Sequence, residues 1–179
     1  MFRRTFLLGS GVLAGAAVAH AGSAACSGFT FASIDGGTLA LGDWLGQPVL
    51  VTNTASLCGF TFQYEALQTL YDTYRARGLV VLAVPSDDFA QELGTAEEVR
   101  AFCEVNYGLD LPMADITPVL GPGAHPFYRW LAESHGVRPR WNFNKVLIGP
   151  DGSFLEFWGS HVSPTSAQIT TRIEALLPR

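Results

Sequence analysis

A short apolar segment that runs into a turn with one cysteine constrains the fold of this chain most strongly. Val49, Leu50 and Val51 predict a buried strand. A polar turn that carries Cys58 follows. Aromatic and leucine residues then recur every third or fourth position up to Tyr74, as they do on the buried face of a helix. The sequence therefore predicts a strand, a cysteine-bearing turn and a helix in succession.

The predicted position of Cys58 favours a reactive thiol. Free backbone N–H groups and the helix dipole stabilise a thiolate near a helix amino terminus, and a thiolate is a nucleophile. The arrangement is similar to a thioredoxin-like strand–turn–helix, but Thr61 stands where a Cys-x-x-Cys motif has its second cysteine. A single cysteine favours attack on a peroxide, an acyl group or a mixed disulfide. The alternative is a buried structural cysteine.

Residues 1–25 have the composition of an export signal and not of a folded domain. Arg3 and Arg4 precede an apolar stretch that ends in small residues, which resembles a twin-arginine signal and predicts an exported, periplasmic protein. An ordinary secretory signal is the alternative. Lipid attachment to Cys26 is a further alternative, although Ser23 stands where such signals usually have leucine.

Residues 26–179 are long enough for one domain with a sizeable core. The net charge is −5 and no basic stripe is present, which argues against nucleic-acid binding. Three cysteines do not make a disulfide framework, and no His or Cys pair has metal-ligand spacing, so we expect a free thiol and no metal. No sequence feature ties His125, His135 or His161 to Cys58, which argues against a Cys–His hydrolase.

The order of elements predicts an α/β fold, with a mixed central sheet flanked by helices and an N-terminal β-hairpin. The continuous apolar run at 79–84 predicts a central parallel strand. Ser163 and Pro164 predict the start of a last helix that reaches Leu177. The remaining elements are strands at 29–34, 47–52, 144–149 and 153–158, and helices at 62–77, 96–107 and 126–134.

Three segments, in one collinear order, resemble the glutathione peroxidase family. Residues 53–61 read Asn-Thr-Ala-Ser-Leu-Cys-Gly-Phe-Thr and resemble the family's peroxidatic-cysteine motif, Asn-x-Ala-Ser-x-Cys-Gly-x-Thr. Residues 84–94 are similar to the family's second motif, which contains a Gln-Glu pair. Residues 141–147 read Trp-Asn-Phe-Asn-Lys-Val-Leu and match a third. The resemblance extends from about residue 28 to the C-terminus.

This resemblance implies a thioredoxin-like fold and thiol-dependent reduction of hydroperoxides, including lipid hydroperoxides. The family's catalytic residues fall on Cys58, Gln91, Trp141 and Asn142. The last three supply N–H donors for the leaving oxygen and add no charge that would repel a thiolate. The resemblance implies no prosthetic cofactor. It implies a thiol such as glutathione or thioredoxin as the reductant.

The loop that carries Gln91 departs from the family pattern. It has one residue fewer between Phe89 and Gln91, and Leu93 replaces a proline. Asp87 and Asp88 replace Asn-Gln. Two carboxylates that faced a thiolate would raise its pKa, so we expect these side chains to point to solvent, or one of them to cap the loop.

A second thiol, Cys103, lies on the predicted helix that carries a resolving cysteine in thioredoxin-dependent relatives, one position earlier than that cysteine. The resemblance therefore implies a resolving role for Cys103, with a packed core cysteine as the alternative. The short stretch between Leu131 and Trp141 lacks the loop through which tetrameric relatives assemble, which predicts a monomer or a loose dimer. An exported thiol–disulfide oxidoreductase and an inactive thioredoxin-like binding module remain alternative functions.

Overall fold

The structure is a computed structural model, and it describes residues 26–178. The predicted export signal at 1–25 lies outside these residues. The strands are β1 (Thr30–Ala32), β2 (Thr38–Ala40), β3 (Val49–Thr54), β4 (Val80–Pro85), β5 (Lys145–Ile148) and β6 (Phe154–Trp158). The helices are α1 (Gln63–Tyr74), α2 (Ala96–Tyr107), α3 (Pro126–His135) and α4 (Ala167–Glu174).

The central sheet is mixed, as predicted, with the strand order β4-β3-β5-β6. β3 pairs parallel to β4, while β3–β5 and β5–β6 are antiparallel. β1 and β2 form a separate antiparallel hairpin, which confirms the predicted N-terminal hairpin. β3 is therefore an inner strand, and the chain leaves its carboxyl end directly into the turn that carries Cys58.

The prediction that residues 79–84 form a central strand is wrong, because β4 lies at the edge of the sheet. Its outer edge is covered by an irregular segment instead of another full strand. Ala83 donates to the carbonyl of Pro112 at 3.0 Å and accepts from Ala114 at 2.8 Å, and Thr117 donates to the carbonyl of Pro85 at 2.8 Å. All of β4 is buried, so an apolar run cannot distinguish a central strand from a covered edge.

The helix boundaries follow local signals in the sequence. A capping box starts α2, because Glu98 donates from its backbone to Oγ1 of Thr95 at 3.2 Å and Thr95 donates back to Oε2 of Glu98 at 3.1 Å. α1 continues as one 3₁₀ turn and ends at Gly78, whose φ of 99° favours glycine.

The last helix begins later and ends earlier than predicted. α4 starts after Ser166, and residues 163–166 form a separate turn in which Ser166 donates to the carbonyl of Ser163 at 3.0 Å. Beyond Glu174 the chain continues in turns, where Leu177 donates to the carbonyl of Ile173 at 3.2 Å. A Ser-Pro pair predicts a turn and a helix start equally well.

The sheet separates two apolar clusters, and helices cover both faces. Leu50 packs in the cluster with α1, α2 and α4, whereas Val49 and Val51 pack in the cluster with α3 and the hairpin. This alternation follows from the two-residue period of a strand. Within residues 26–178, no helix is long and apolar enough to cross a bilayer.

Candidate active site

Cys58 lies in a turn between the end of β3 and the start of α1, as predicted, although residues 59–62 separate it from the helix. Thr61 folds this turn. Cys58 donates from its backbone to Oγ1 of Thr61 at 3.0 Å, and that hydroxyl donates to the carbonyl of Ala55 at 2.9 Å. Thr61 occupies the position of the second cysteine in a dithiol motif. Here its hydroxyl holds the turn together.

The sulfur of Cys58 has a backbone donor. The N–H of Phe60 points at Sγ at 3.4 Å, and Cys58 is 8% exposed. The sulfur therefore combines a backbone N–H donor with a small exposed surface.

Gln91 and Asn142 meet beside this turn. Nδ2 of Asn142 donates to Oε1 of Gln91 at 3.1 Å. The N–H of Leu57 donates to the carbonyl of Gln91 at 2.9 Å, which joins the Gln91 loop to the residue before Cys58. Asn142 is fully buried, and its carbonyl accepts a hydrogen bond from Oγ of Ser160 at 2.6 Å. The structure thus brings two of the predicted site residues into contact at the Cys58 turn.

Trp141 forms an exposed wall next to these amides. Its side chain is 41% exposed, and its ring lies 5.3 Å from the ring of Phe89, which belongs to the Gln91 loop. An open groove of about 780 Å³ extends from Trp141. Its lining combines apolar and basic side chains, including Val137, Arg138, Arg140, Trp141, Phe157 and His161.

Asn53 connects the segment with Trp141 and Asn142 to β3, a role that the sequence motif did not reveal. Its Nδ2 donates to the carbonyl of Trp141 at 3.0 Å, and its Oδ1 accepts from the backbone of Asn144 at 3.0 Å. The carbonyl of Asn53 accepts from Phe143 at 2.6 Å. The available sequence signal for this role was an amide side chain in a buried strand. A buried amide must find hydrogen-bond partners.

The two aspartates of the Gln91 loop are exposed, as expected, and their carboxylates also accept backbone hydrogen bonds. Asp87 accepts from the N–H of Glu92 at 3.1 Å. The carboxylate of Asp88 accepts from the backbone N–H groups of Val119 and Leu120. These bonds fix the shortened loop at both of its ends.

Backbone strain occurs next to both amide residues. Ala90, directly before Gln91, has a φ of 54°, and Phe143, directly after Asn142, has a φ of 61°. Residues with a Cβ avoid this region, and each such conformation costs about 1–3 kcal/mol. The surrounding hydrogen bonds hold the strained segments in place.

Cys103 faces the interior from α2 and is 1% exposed. Burial raises the pKa of its thiol to about 12, opposed by a hydrogen bond with the Tyr64 hydroxyl and supported by the nearby charge of Glu92. Cys58 and Cys103 belong to the same core cluster, and both are free thiols. The resolving role of Cys103 therefore stays a prediction that requires α2 to open.

Lys145 is a second feature whose placement the sequence did not reveal. It is the only lysine in the chain, and it is fully buried. Nζ donates to Oε1 of Gln63 and, at 2.7 Å, to the carbonyl of Val162. Burial lowers the pKa of Lys145 to about 7. This amine ties the start of α1, just beyond the Cys58 turn, to the loop after β6.

The histidines have structural contacts. Nε2 of His125 bonds to the carbonyl of Thr30 at 2.9 Å, as fits a residue that caps α3. His135 stacks on Phe154 at 4.6 Å. His161 lies edge-on to Phe60 at 5.0 Å. Within residues 26–178 none of them forms a hydrogen bond to Cys58.

A mixed sheet with a cysteine-bearing turn between an inner strand and a helix defines a thioredoxin-fold thiol protein. The family model for glutathione peroxidase matches residues 27–132. The chain belongs to the glutathione peroxidase family and is a thiol-dependent peroxidase.

Similar proteins agree with this assignment. A hydroperoxy fatty acid reductase of Synechocystis sp. is 39% identical over 161 residues, covering 84% of this chain and 94% of that protein. A glutathione peroxidase homolog, BsaA, of Halalkalibacterium halodurans is 41% identical, covering 83% of this chain and 97% of that protein. The apo crystal structure of Trgpx matches with a TM-score of 0.67 and 31% identity, over 85% of this chain and 95% of the other.

A structure of a thiol:disulfide interchange protein, DsbE, from Chlorobium tepidum also matches, with a TM-score of 0.63 over 85% of this chain and 94% of the other. Its identity is 20%, so the likeness shows the shared thioredoxin-like fold and carries no evidence about activity.

Proposed function

We propose that Cys58 is the peroxidatic nucleophile of this peroxidase. Its thiolate attacks the terminal oxygen of a hydroperoxide, so that an S–O bond forms while the O–O bond breaks. The leaving alkoxide, or hydroxide from hydrogen peroxide, takes up a proton, and Cys58 becomes a sulfenic acid. The observation that carries this proposal is the joining of the Cys58 turn to the Gln91–Asn142 amide pair.

Gln91, Asn142 and Trp141 supply the donors for the leaving oxygen. Oε1 of Gln91 accepts a hydrogen bond from Asn142, so the other end of that amide, Nε2, donates to the leaving oxygen. Neutral donors placed where negative charge develops lower the barrier without a reorganisation step. A protonated histidine or a lysine is not needed for this chemistry.

The substrates include organic and lipid hydroperoxides as well as hydrogen peroxide. A relative is named a hydroperoxy fatty acid reductase. The open groove beside Trp141 offers apolar side chains such as Val137 and Phe157, together with the cations of Arg138 and Arg140. This lining suits an amphiphilic substrate with an acidic end. The short segment between Leu131 and Trp141 supports a monomer, which keeps the groove accessible.

A thiol reductant completes the cycle by one of two routes. Cys103 condenses with the Cys58 sulfenic acid, which forms a disulfide and releases water, and a thioredoxin-like dithiol then reduces that disulfide. Alternatively, glutathione or another small thiol attacks the sulfenic acid directly. The burial of Cys103 means that the first route requires local unfolding of α2.

Export to the periplasm is inferred from the sequence of residues 1–25 alone. Replacement of Arg3 and Arg4 by lysine should leave the precursor in the cytoplasm if the twin-arginine route carries it. Unchanged export of that variant would assign the protein to the general secretory route or to another signal.

The test of the proposed function is thiol-dependent peroxide consumption by wild type, Cys58→Ser and Cys26→Ala. Cys26 is buried on the other face of the sheet, so its variant controls for the loss of a thiol. We expect turnover to be lost only in Cys58→Ser, and intact mass after peroxide treatment to show one added oxygen or a disulfide at Cys58. Wild-type turnover in Cys58→Ser would overturn the proposal.

A further inference from the structure

We propose that Glu92 is a positioning residue of the peroxidase site, whose buried carboxylate holds the Gln91 loop against the Cys58 turn. The inference rests on the proposed function of Cys58 and Gln91 and adds to it a residue that has no contact with the peroxide. It follows from three features of Glu92, namely its contacts, its burial and the strain in the loop that it closes.

The contacts of Glu92 bridge two segments that are distant in the chain. Oε1 accepts the N–H of Ser56 at 2.9 Å and also the N–H of Leu93 at 2.9 Å. The next residue in the Cys58 turn makes a similar bond to the loop. The N–H of Leu57 donates to the carbonyl of Gln91 at 2.9 Å. Two successive N–H groups before Cys58 are therefore held by two successive residues of the loop.

Burial of the Glu92 carboxylate costs free energy, whereas a carboxylate that caps a helix or turn at the surface stays hydrated. Glu92 is 8% exposed, and the two backbone hydrogen bonds that hold its carboxylate both end on Oε1. Burial raises the pKa of Glu92 above its usual value, although the hydrogen bonds from Ser56 and Leu93 oppose this shift. A buried carboxylate that is not fully hydrogen-bonded destabilises the folded protein. The contribution of Glu92 therefore lies in the two segments that it joins.

Strain explains why the loop needs such a bridge. Ala90 adopts a φ of 54° immediately before Gln91, and its N–H donates to the carbonyl of Asp87 at 2.8 Å. The tight turn aims Gln91 towards Asn142, but a residue with a Cβ leaves this conformation when it is free to do so. The bond from Ser56 to Glu92 keeps the loop closed and so fixes the amide of Gln91 relative to the Cys58 sulfur.

A double-mutant cycle distinguishes positioning from a general contribution to stability. The variants are Glu92→Ala, Gln91→Ala and the double variant. Glu97→Gln serves as the matched charge-loss control, because Glu97 is exposed on α2. The readouts are the second-order rate constant for oxidation of Cys58 by hydrogen peroxide, the rate of alkylation by iodoacetamide, and the melting temperature. Alkylation reports the reactivity of the sulfur without a leaving oxygen.

If Glu92 acts through Gln91, Glu92→Ala lowers the peroxide rate constant about tenfold or more. Alkylation of Cys58 and the rates of Glu97→Gln stay near wild type, and the double variant is no slower than Gln91→Ala alone. Glu92→Gln keeps an acceptor for Ser56 and recovers most of the rate. If Glu92→Ala does not fold, Glu92→Asp replaces it in the cycle, since the shorter side chain keeps the charge but moves the acceptor.

Two results would overturn the inference. One is a wild-type peroxide rate constant in Glu92→Ala, or in Glu92→Asp where that variant replaces it. The other is a double variant whose loss in rate constant equals the product of the losses in Glu92→Ala and Gln91→Ala. Failure of the proposed function looks different, because the wild type would then not react with peroxide or Cys58→Ser would still react. A wild type that reacts, with a slow Gln91→Ala and an unaffected Glu92→Ala, rejects the positioning role alone.

Discussion

Asn142 donates a hydrogen bond from Nδ2 to Oε1 of Gln91 at 3.1 Å, although the two residues lie 51 positions apart in the chain. One comes from the loop between β4 and α2, and the other comes from the segment before β5. Both segments meet at the carboxyl end of β3 because the sheet places β4 and β5 on either side of it. The bond occupies Oε1 of Gln91 and so turns its Nε2 donor away from Asn142.

Replacement of Asn142 tests this amide pair. Asn142→Asp should lower the rate constant for peroxide reduction more than Asn142→Ala, because aspartate cannot donate to Gln91 and places a negative charge where negative charge develops in the reaction. A loss of about 10²-fold or more is expected for the aspartate variant. Stopped-flow oxidation of Cys58 measures it.

Asn106→Asp, on the exposed face of α2, is the matched control and should keep the wild-type rate. An aspartate at 142 that supports wild-type oxidation would show that the pair has no part in transition-state stabilisation.

Thr61→Val should destabilise the Cys58 turn. Valine has nearly the same shape but lacks the hydroxyl, so the N–H of Cys58 and the carbonyl of Ala55 lose their partner. The expected loss in the free energy of unfolding is about 1–3 kcal/mol, and oxidation of Cys58 should slow. Urea denaturation and peroxide kinetics measure the two effects. Thr61→Ser keeps the hydroxyl and should retain both properties; equal behaviour of the two variants would contradict this prediction.

The buried amine of Lys145 should make stability depend on pH. Its pKa in the folded protein is about 7, below the value of 10.5 for an unperturbed lysine, so unfolding takes up a proton between these values. The free energy of unfolding therefore increases as the pH rises through this window. It decreases again as the pH falls towards 7. The slope approaches ~1.4 kcal/mol per pH unit.

Subtraction of the pH dependence of Lys145→Met from that of wild type isolates this contribution. The difference in free energy of unfolding should rise from about pH 7 to about pH 9 and be flat below about pH 6. Because Lys145 is the only lysine, lysine labelled with ¹³C at Cε gives one resonance that reports the titration directly. A midpoint near that of a free lysine would contradict the prediction.

Cys103→Ser tests the resolving role. If Cys103 forms the disulfide with oxidised Cys58, the variant should lose turnover with a thioredoxin system and keep turnover with a small thiol. Mass spectrometry of the peroxide-treated wild type should then show a Cys58–Cys103 disulfide. Cys26→Ser, a change in the other apolar cluster, should behave like wild type.

Equal turnover with both donors in wild type and in Cys103→Ser would make Cys103 a packing residue. That result would agree with its nearly complete burial on the inner face of α2. The peroxidase would then depend on Cys58 alone.

Much of the fold could be predicted from local patterns in the sequence. The capping box at Thr95, the glycine after α1 and the alternation in β3 each act within a few residues, so the helices and strands followed from them. The motif around Cys58 indicated the family, and the position of Cys58 between a strand and a helix was correct. The catalytic roles of Cys58, Gln91, Trp141 and Asn142 remain predictions for the experiments above.

Which distant groups meet depends on how the whole chain packs. The apolar pattern of β4 could not show that an irregular segment covers its edge. Nothing local showed that Glu92 binds Ser56, that Asn53 holds the Trp141 segment, or that the single lysine is buried and bonded to the amide oxygen of Gln63. The physical reason is that periodicity reports which face of an element is buried. Hydrogen-bond partners of buried polar groups depend instead on how the sheet and its loops pack together.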